Sequence, residues 1–473
     1  MKKVAVCSFV FAAMLAGAET GTDAEMPSVS APKATVADLV QVSDRTVVVT
    51  YSLANPPAVV TFAAETNGPN GWVAMDGKCQ STACGDVFRR VTGESGTFNW
   101  NVDGLGINEA IASGNLRVKL TAWRLDDTPD YMVVSLASNV IPEENRVRYY
   151  TSTNELPGGL LENHEYRKSM VVMKRMHARG VRWMMGSPVG TPGRTGDDAA
   201  TGRNPETMHP VTLANDYYIG VFPLTVAQMA VIYNPNGSGV TGGFPVDRAM
   251  RICDQVYYVN NTFGYPMRNT NWPDAPAAES VLGKMRAMTA GVIDDWELPT
   301  EAQWEFAAKA NQPVMHWGNG REYKFEDAYP YTTDYGMPGR YRYNQANDWH
   351  KSSSDYTDEA KRTSQGPESG TPIAGSYAPN AYGLYDMHGG IWEWCLDWYS
   401  PDITALDGRV NIDPSDGTKT VAGAIGANRV MRGGCYLSNA SVCRASYRKS
   451  ASPGYPGDSQ EGGARLCCRA GLK

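Results

Sequence analysis

The residue types in this chain best suited to chemistry are cysteines and arginines, many of them near its end. Nine cysteines occur, at Cys7, Cys79, Cys84, Cys253, Cys395, Cys435, Cys443, Cys467 and Cys468. Without Cys7, which lies in an apolar leader-like run, eight remain, an even number that permits disulfides without fixing their pairing. Cys79 and Cys84 flank the short loop Gln80-Ser81-Thr82-Ala83 and are the easiest pair to close. Adjacent Cys467 and Cys468 could pair with each other only under strain. No C-x-x-C is present, and His164, His177, His209, His316, His350 and His388 are scattered, so zinc or histidine-bound iron has little support. Arg432, Arg444, Arg448 and Arg465 recur among Gly, Ser and Tyr. They could line an anion or carbohydrate pocket, or they could tie irregular loops by bonding carbonyls and acids. For Arg432 and Arg465 the second reading is preferred.

The elements that must position these residues divide the chain in two. Over roughly 30–140 the pattern has the period of two that half-buried strands require. Val47, Val49, Tyr51 and Leu53 share one face, and Leu116, Val118, Leu120 and Ala122 another, with turn residues at 55–57, 67–71 and 93–96 between strands. This predicts an immunoglobulin- or fibronectin-like β-sandwich over 19–140. Residues 141–169, mixed polar with Pro, Gly and Asn, read as a linker to a second domain over 170–473. That domain is rich in tryptophan and glycine and has few helices. The clearest helix starts at Thr300, where Thr300 and Gln303 form a capping box, Glu301 favours the positive helix end, and Trp304, Ala307 and Ala308 form an inward stripe. A shorter helix is expected over Ser280–Met288, with Val281, Met285 and Met288 on one side.

Composition narrows the classes. The chain has 473 residues, 43 Lys+Arg against 50 Asp+Glu and a formal net charge of −7. With 12 Trp, 25 Tyr and only 20% charged residues it is not a disordered chain, and with no basic block it speaks against a nucleic-acid partner. Met1-Lys2-Lys3, the apolar run Val4–Gly17 and Ala16-Gly17-Ala18 read as a signal peptide over 1–18. No later run is long enough to span a membrane. The expected location is therefore secreted, periplasmic or at the cell surface.

Six motifs then occur in order: Met185-Gly186-Ser187; Pro210-Val211-Thr212-Leu213 with Tyr217-Tyr218-Ile219-Gly220; Leu298 to Glu305; Gly383 to Met387; Trp392-Glu393-Trp394-Cys395; and Arg432-Gly433-Gly434. Together, over roughly 170–470, the chain resembles the sulfatase-modifying-factor, or formylglycine-generating-enzyme, family. The resemblance implies an α+β fold: an irregular, loop-rich, C-type lectin-like domain following the β-sandwich module. The activity it implies is copper- and oxygen-dependent conversion of a sulfatase cysteine to formylglycine.

The family holds copper(I) on two cysteines, four and nine residues after the second glycine of Arg-Gly-Gly. Counted from Gly434 those positions are Ser438 and Cys443. A hydroxyl replaces one of the thiolates that a soft ion prefers, which speaks against copper. Cys435 stands where the family usually has serine. Cys435 and Cys443 could form a displaced dithiolate or a disulfide, or Cys443 could pair with Cys395, so Cys435, Ser438 and Cys443 are the candidate catalytic positions. The resemblance also implies calcium, hard and oxygen-seeking, at Glu393 and near Asn347 and Asp348. Gly390 replaces the family's asparagine there, and the other reading of Glu393 is a buried acid paired with an arginine such as Arg432.

Tyr436, Asn439, Ser441, Arg444, Tyr447 and Tyr455 fill the last segment with residue types that adaptable binding surfaces use. Members without the copper pair resemble the variable proteins of diversity-generating retroelements. The leading expectation is therefore a non-catalytic module binding an unidentified protein or carbohydrate ligand. A formylglycine-generating oxidase and a structural cell-surface component are the alternatives.

Overall fold

Strand formation begins where β-branched residues alternate with small polar ones. The structure, a computed structural model, describes residues 30–136, 145–191, 194, 206–233, 249–254, 256–259, 265–271, 274–312, 339, 370–399, 428–438, 440–454 and 461–471. The expected signal peptide lies outside them. Strands β1 (Lys33–Ser43), β2 (Thr46–Ala54), β3 (Ala58–Gly68), β4 (Gly71–Ala74), β5 (Ala83–Gly85), β6 (Arg89–Val91), β7 (Ser95–Asn101) and β8 (Leu116–Trp123) come first, with a one-turn helix α1 (Asn108–Ala112) before β8. They form two antiparallel sheets: one ordered β1-β2-β7-β5, the other with β3 paired to β4, β6 and β8. On β2 the alternation is as expected, with Val47, Val49, Tyr51 and Leu53 buried. On β8, Leu116 and Val118 are buried while Leu120 and Ala122 are half-buried. Phe62, Phe88, Phe98 and Trp100 fill the space between the sheets.

β9 (Tyr131–Ser135) and β10 (Val147–Tyr150) pair with each other, and β9 also pairs with β11 (Met170–Met176). The stretch read as a linker therefore contributes a strand to the sheet of the second domain. Valine and two tyrosines in Val147–Tyr150 are buried there, so that segment behaves as core. The hydrophobic cluster of the first two sheets runs on through Tyr150, Val221, Phe222 and Tyr385. The described residues from Pro32 onward accordingly make one compact unit.

β12 (Arg182–Met185) and β13 (His209–Thr212) form an antiparallel pair, and β14 (Tyr217–Gly220) joins β11. Helix α2 (Val226–Tyr233) precedes a short parallel pair, β15 (Val256–Tyr257) and β16 (Tyr265–Pro266). Helix α3 (Val281–Met288) follows with Ser280 as its N-cap, and α4 (Glu301–Lys309) carries the predicted capping box between Thr300 and Gln303. All nine residues of α4 are buried, not only its apolar stripe. β17 (Trp392–Trp398), β18 (Arg429–Arg432), β19 (Lys449–Ala451) and β20 (Gly462–Gly463) build a four-stranded sheet, and β21 (Cys467–Arg469) pairs with β14. The central sheet thus has the order β10-β9-β11-β14-β21. Among the described residues no helix is long and apolar enough to cross a membrane.

Candidate functional site

The buried polar face of α4 sets the frame of the candidate site. Glu301 and Glu305 sit one turn apart, and a carboxylate out of water needs charged partners and hydrogen bonds. Arg432, at the end of β18, supplies both: its Nε lies 3.1 Å from Glu301, its Nη2 meets Glu305, and its Nη1 donates to the carbonyls of Ala445 (2.9 Å) and Tyr447 (2.7 Å). Arg448 Nη2 donates to Glu301 at 2.8 Å, and Lys309 lies 2.6 Å from Glu305. Burial alone would raise the Glu305 carboxyl, but Lys309 and Arg432 hold it down at about 2. Asp397 accepts the Glu301 N–H at 2.6 Å; burial and then the Glu301 charge push its carboxyl up to about 6.

Glu393, on β17, is the acid of an arginine pair. Its partner is Arg465 and not Arg432. Arg465 Nε and Nη2 donate to its two oxygens at 3.0 and 2.8 Å, and Trp304 Nε1 adds a bond of 2.7 Å. The rest of Arg465 donates to the carbonyls of Gly220 (2.8 Å) and Tyr385 (2.8 Å), so it ties the end of β14 and the Tyr385 loop to β17 by bonding carbonyls and an acid, as expected. A calcium ion requires oxygens with open lone pairs. Both oxygens of Glu393 already face N–H donors, and Gly390 beside it (φ +80°) leaves a Cβ only 3.2 Å from Ile252. The residues at Glu393 therefore do not fit calcium. Asn347 and Asp348 lie outside the described residues.

The segment after Arg432 turns sharply because Gly434 is in the left-handed region (φ +76°); a Cβ there would lie 2.5 Å from Cys443 Sγ. Cys435 and Cys443 are both buried, and no disulfide joins any of the eight described cysteines. Cys79 packs against the core while Cys84 faces solvent from β5, so the easiest sequence pair does not meet as a bridge. Ser438, half-buried, accepts the Cys435 N–H at 3.0 Å, and its hydroxyl lies 3.2 Å from the Cys435 thiol. Burial, with some help from the Glu461 charge, pushes the Cys435 thiol up to about 12, and burial raises Cys443 well above the usual thiol range. His388 Nδ1 meets the Cys443 carbonyl at 3.0 Å, and burial holds its imidazole down at about 4. With the Ser438 hydroxyl at the first copper position, hydrogen-bonded to Cys435, the site offers a hard oxygen where copper(I) seeks a second thiolate, and it does not fit that ion.

Of the residues expected to bind ligand, Arg444 is turned inward. It makes a two-pronged bond to Glu206, both contacts 2.8 Å, because Glu206 is buried and needs a counter-charge. Its Nε also donates to the Ser441 carbonyl at 2.8 Å. Tyr436, Ser441 and Tyr447 are half-buried; the Tyr447 ring lies 5.9 Å from that of Trp392. Asn439 and Tyr455 lie outside the described residues. The carboxylates that complete the frame, Glu206, Glu301 and Glu305, were not singled out as arginine partners. The i, i+4 spacing of Glu301 and Glu305 on the predicted helix was the available signal; Glu206 has none in its neighbourhood.

The geometry defines a mixed α/β domain, rich in sheet and poor in helix, locked by buried arginines. The profile of the sulfatase-modifying factor enzyme 1-like domain matches residues 178–469, and the chain belongs to that family. The formylglycine-generating enzyme of Thermomonospora curvata is 33% identical over 190 residues, covering 40% of this chain and 49% of that protein. The mouse protein named inactive C-alpha-formylglycine-generating enzyme 2 is 28% identical over 158 residues, covering 32% of this chain and 40% of that protein. The chain spans about half the length of the bacterial formylglycine-generating enzymes it matches. Among solved structures, Treponema denticola variable protein 1 aligns over 63% of this chain and 95% of its own, at 20% identity and a TM-score of 0.35.

Proposed function

We propose that this chain is an exported, non-catalytic member of its family that binds a protein or carbohydrate ligand through a lectin-like C-terminal surface. The N-terminal strands serve as an immunoglobulin-like module fused to it. The observation that carries the reading is Ser438 at the first copper position, its hydroxyl spent on the Cys435 amide and thiol. The burial of Cys435 and Cys443 supports it further. A mouse relative named as inactive supports a non-catalytic role in a chain of this fold. The ligand would meet Tyr436, Ser441 and Tyr447, half-buried residues at the edge of the arginine frame. Arg444 belongs to the frame and not to the contact surface.

The test is copper(I) affinity measured anaerobically, together with formylglycine formation in a cysteine-containing sulfatase peptide under oxygen. The wild type is expected to show neither thiol-dependent binding nor turnover, and Ser438→Cys to gain copper binding. Copper binding by the wild type that is lost in Cys435→Ser and Cys443→Ser, with peptide turnover, would establish the oxidase instead.

A further inference from the structure

A cavity of about 40 Å³ lies between the central sheet and the turn at 291–295. Since one water molecule needs roughly 10–15 Å³ of such space, it takes about three non-hydrogen groups. Its walls include Met132, Tyr149, Tyr218, Ile293, Asp295 and Arg469, none of them in the 435–448 segment. Tyr149 is 1% exposed, and its hydroxyl has no hydrogen-bond partner among the described residues. A buried phenol without a partner is costly, and structures normally supply one. The other phenol of the wall is provided for: Tyr218 donates to the Pro129 carbonyl and lies 2.9 Å from the Thr128 hydroxyl. The vacant demand is therefore that of Tyr149.

The chemistry of the wall narrows the occupant. Asp295 accepts the Arg469 N–H at 3.1 Å, and the two side chains, about a third exposed (39% and 33%), stand with opposite charge. Asp294 is occupied by the Gly291 N–H at 2.8 Å. An ammonium would meet Arg469, and a carboxylate would meet Asp294 and Asp295, so neither ion gains a field of one sign. A hydroxyl, donor and acceptor at once, can meet a phenol, a carboxylate and a guanidinium in turn. Met132, Ile293 and the tyrosine rings offer C–H contacts that water alone would waste. The turn is itself held in place, because Arg90 Nη1 on β6 donates to the Gly291 carbonyl at 3.1 Å.

We propose that this cavity binds the vicinal-diol end of a small polyol or sugar, with Tyr149 Oη bonded to one hydroxyl and Asp295 and Arg469 holding the next. A free polyol and the terminal residue of a glycan share this chemistry.

The experiment is ligand-observed saturation-transfer NMR on the full chain with glycerol, glucose and a glucose oligomer, using ammonium and acetate as competitors. Saturable binding of glycerol or glucose is expected, weakened about tenfold in Tyr149→Phe, the loss of one hydrogen bond between uncharged groups. The thermal midpoint of that variant should be unchanged or higher, since the phenol without a partner is gone. Binding by glycerol and not the oligomer would identify a free polyol, and the reverse a glycan. If Tyr149→Phe fails to fold, Asp295→Asn at the mouth is expected to show the same loss. No saturation by any of the three, binding untouched by these substitutions, or displacement by ammonium or acetate at lower concentration would overturn the proposal.

Discussion

Removing the charge of Glu393 tests the arginine lock directly. In Glu393→Gln the shape is kept, but the Arg465 guanidinium, fully buried, loses the carboxylate it contacts at 2.8 and 3.0 Å. Taking away one partner of a buried pair costs about 3–5 kcal/mol, because the remaining charge has no water to turn to. Against a net stability of ~5–15 kcal/mol that is a large fraction. Arg465→Met should cost more. It leaves Glu393 buried without its guanidinium and also strips donors from the carbonyls of Gly220, Val221 and Tyr385, each worth about 1–3 kcal/mol when left bare. The assay is urea unfolding followed by tryptophan fluorescence, with and without calcium or a chelator. The expected order of midpoints is wild type, then Glu393→Gln, then Arg465→Met, with no calcium dependence in any of them. A milder Arg465→Met, or a calcium-dependent rise in the wild-type midpoint that Glu393→Gln abolishes, would refute the reasoning and make Glu393 a metal ligand.

Glu305, held at about 2, lies below its ordinary value, so its contribution is full above about pH 4.5 and is lost as pH falls through 2. The loss should reach roughly 3 kcal/mol in acid unfolding curves, and Glu305→Gln should flatten that slope. Asp397 has the opposite sign. With its folded value at about 6, the native state holds a proton that the unfolded chain releases near pH 4, so stability falls as pH rises across that window. Asp397→Asn should therefore raise the urea midpoint at pH 7.5 and leave it unchanged at pH 4. In Gly434→Ala a Cβ meets Cys443 at left-handed φ, which should cost more than about 1 kcal/mol and lower the thermal midpoint.

What the sequence made legible was whatever depends on neighbours. The alternation in β2, the Thr300–Gln303 capping box and the Ser280 cap follow from residues within a few positions of one another. The ordered motifs led to the family in the same way. What it hid depends on distant partners. Tyr149 and Tyr150 lie in a polar-looking stretch, and only the pairing of β10 with β9 makes them core. Arg444 looked like a surface contact because Glu206, which turns it inward, is 238 positions away. Glu393 had an arginine partner on its own face, yet its register with Arg432 on β18 did not decide the pairing, since Glu301 and Glu305 claim that guanidinium first.

The same distances bear on the order in which the protein assembles. Ser446 meets Gly186 across 260 positions, Arg465 meets Gly220 across 245, and β21 closes onto β14. Loop closure grows only slowly more costly with length, about 0.6 kcal/mol per doubling, so these spans weigh little on the final equilibrium. They weigh heavily on rate, because contacts between distant segments form late. Until the segment 429–469 has docked, the carboxylates of α4 and β17 have no guanidinium to meet and the helix has no reason to bury its polar side. The arginines of the C-terminal segment should therefore be among the last groups to dock, and the buried carboxylates gain their counter-charges only at that late step.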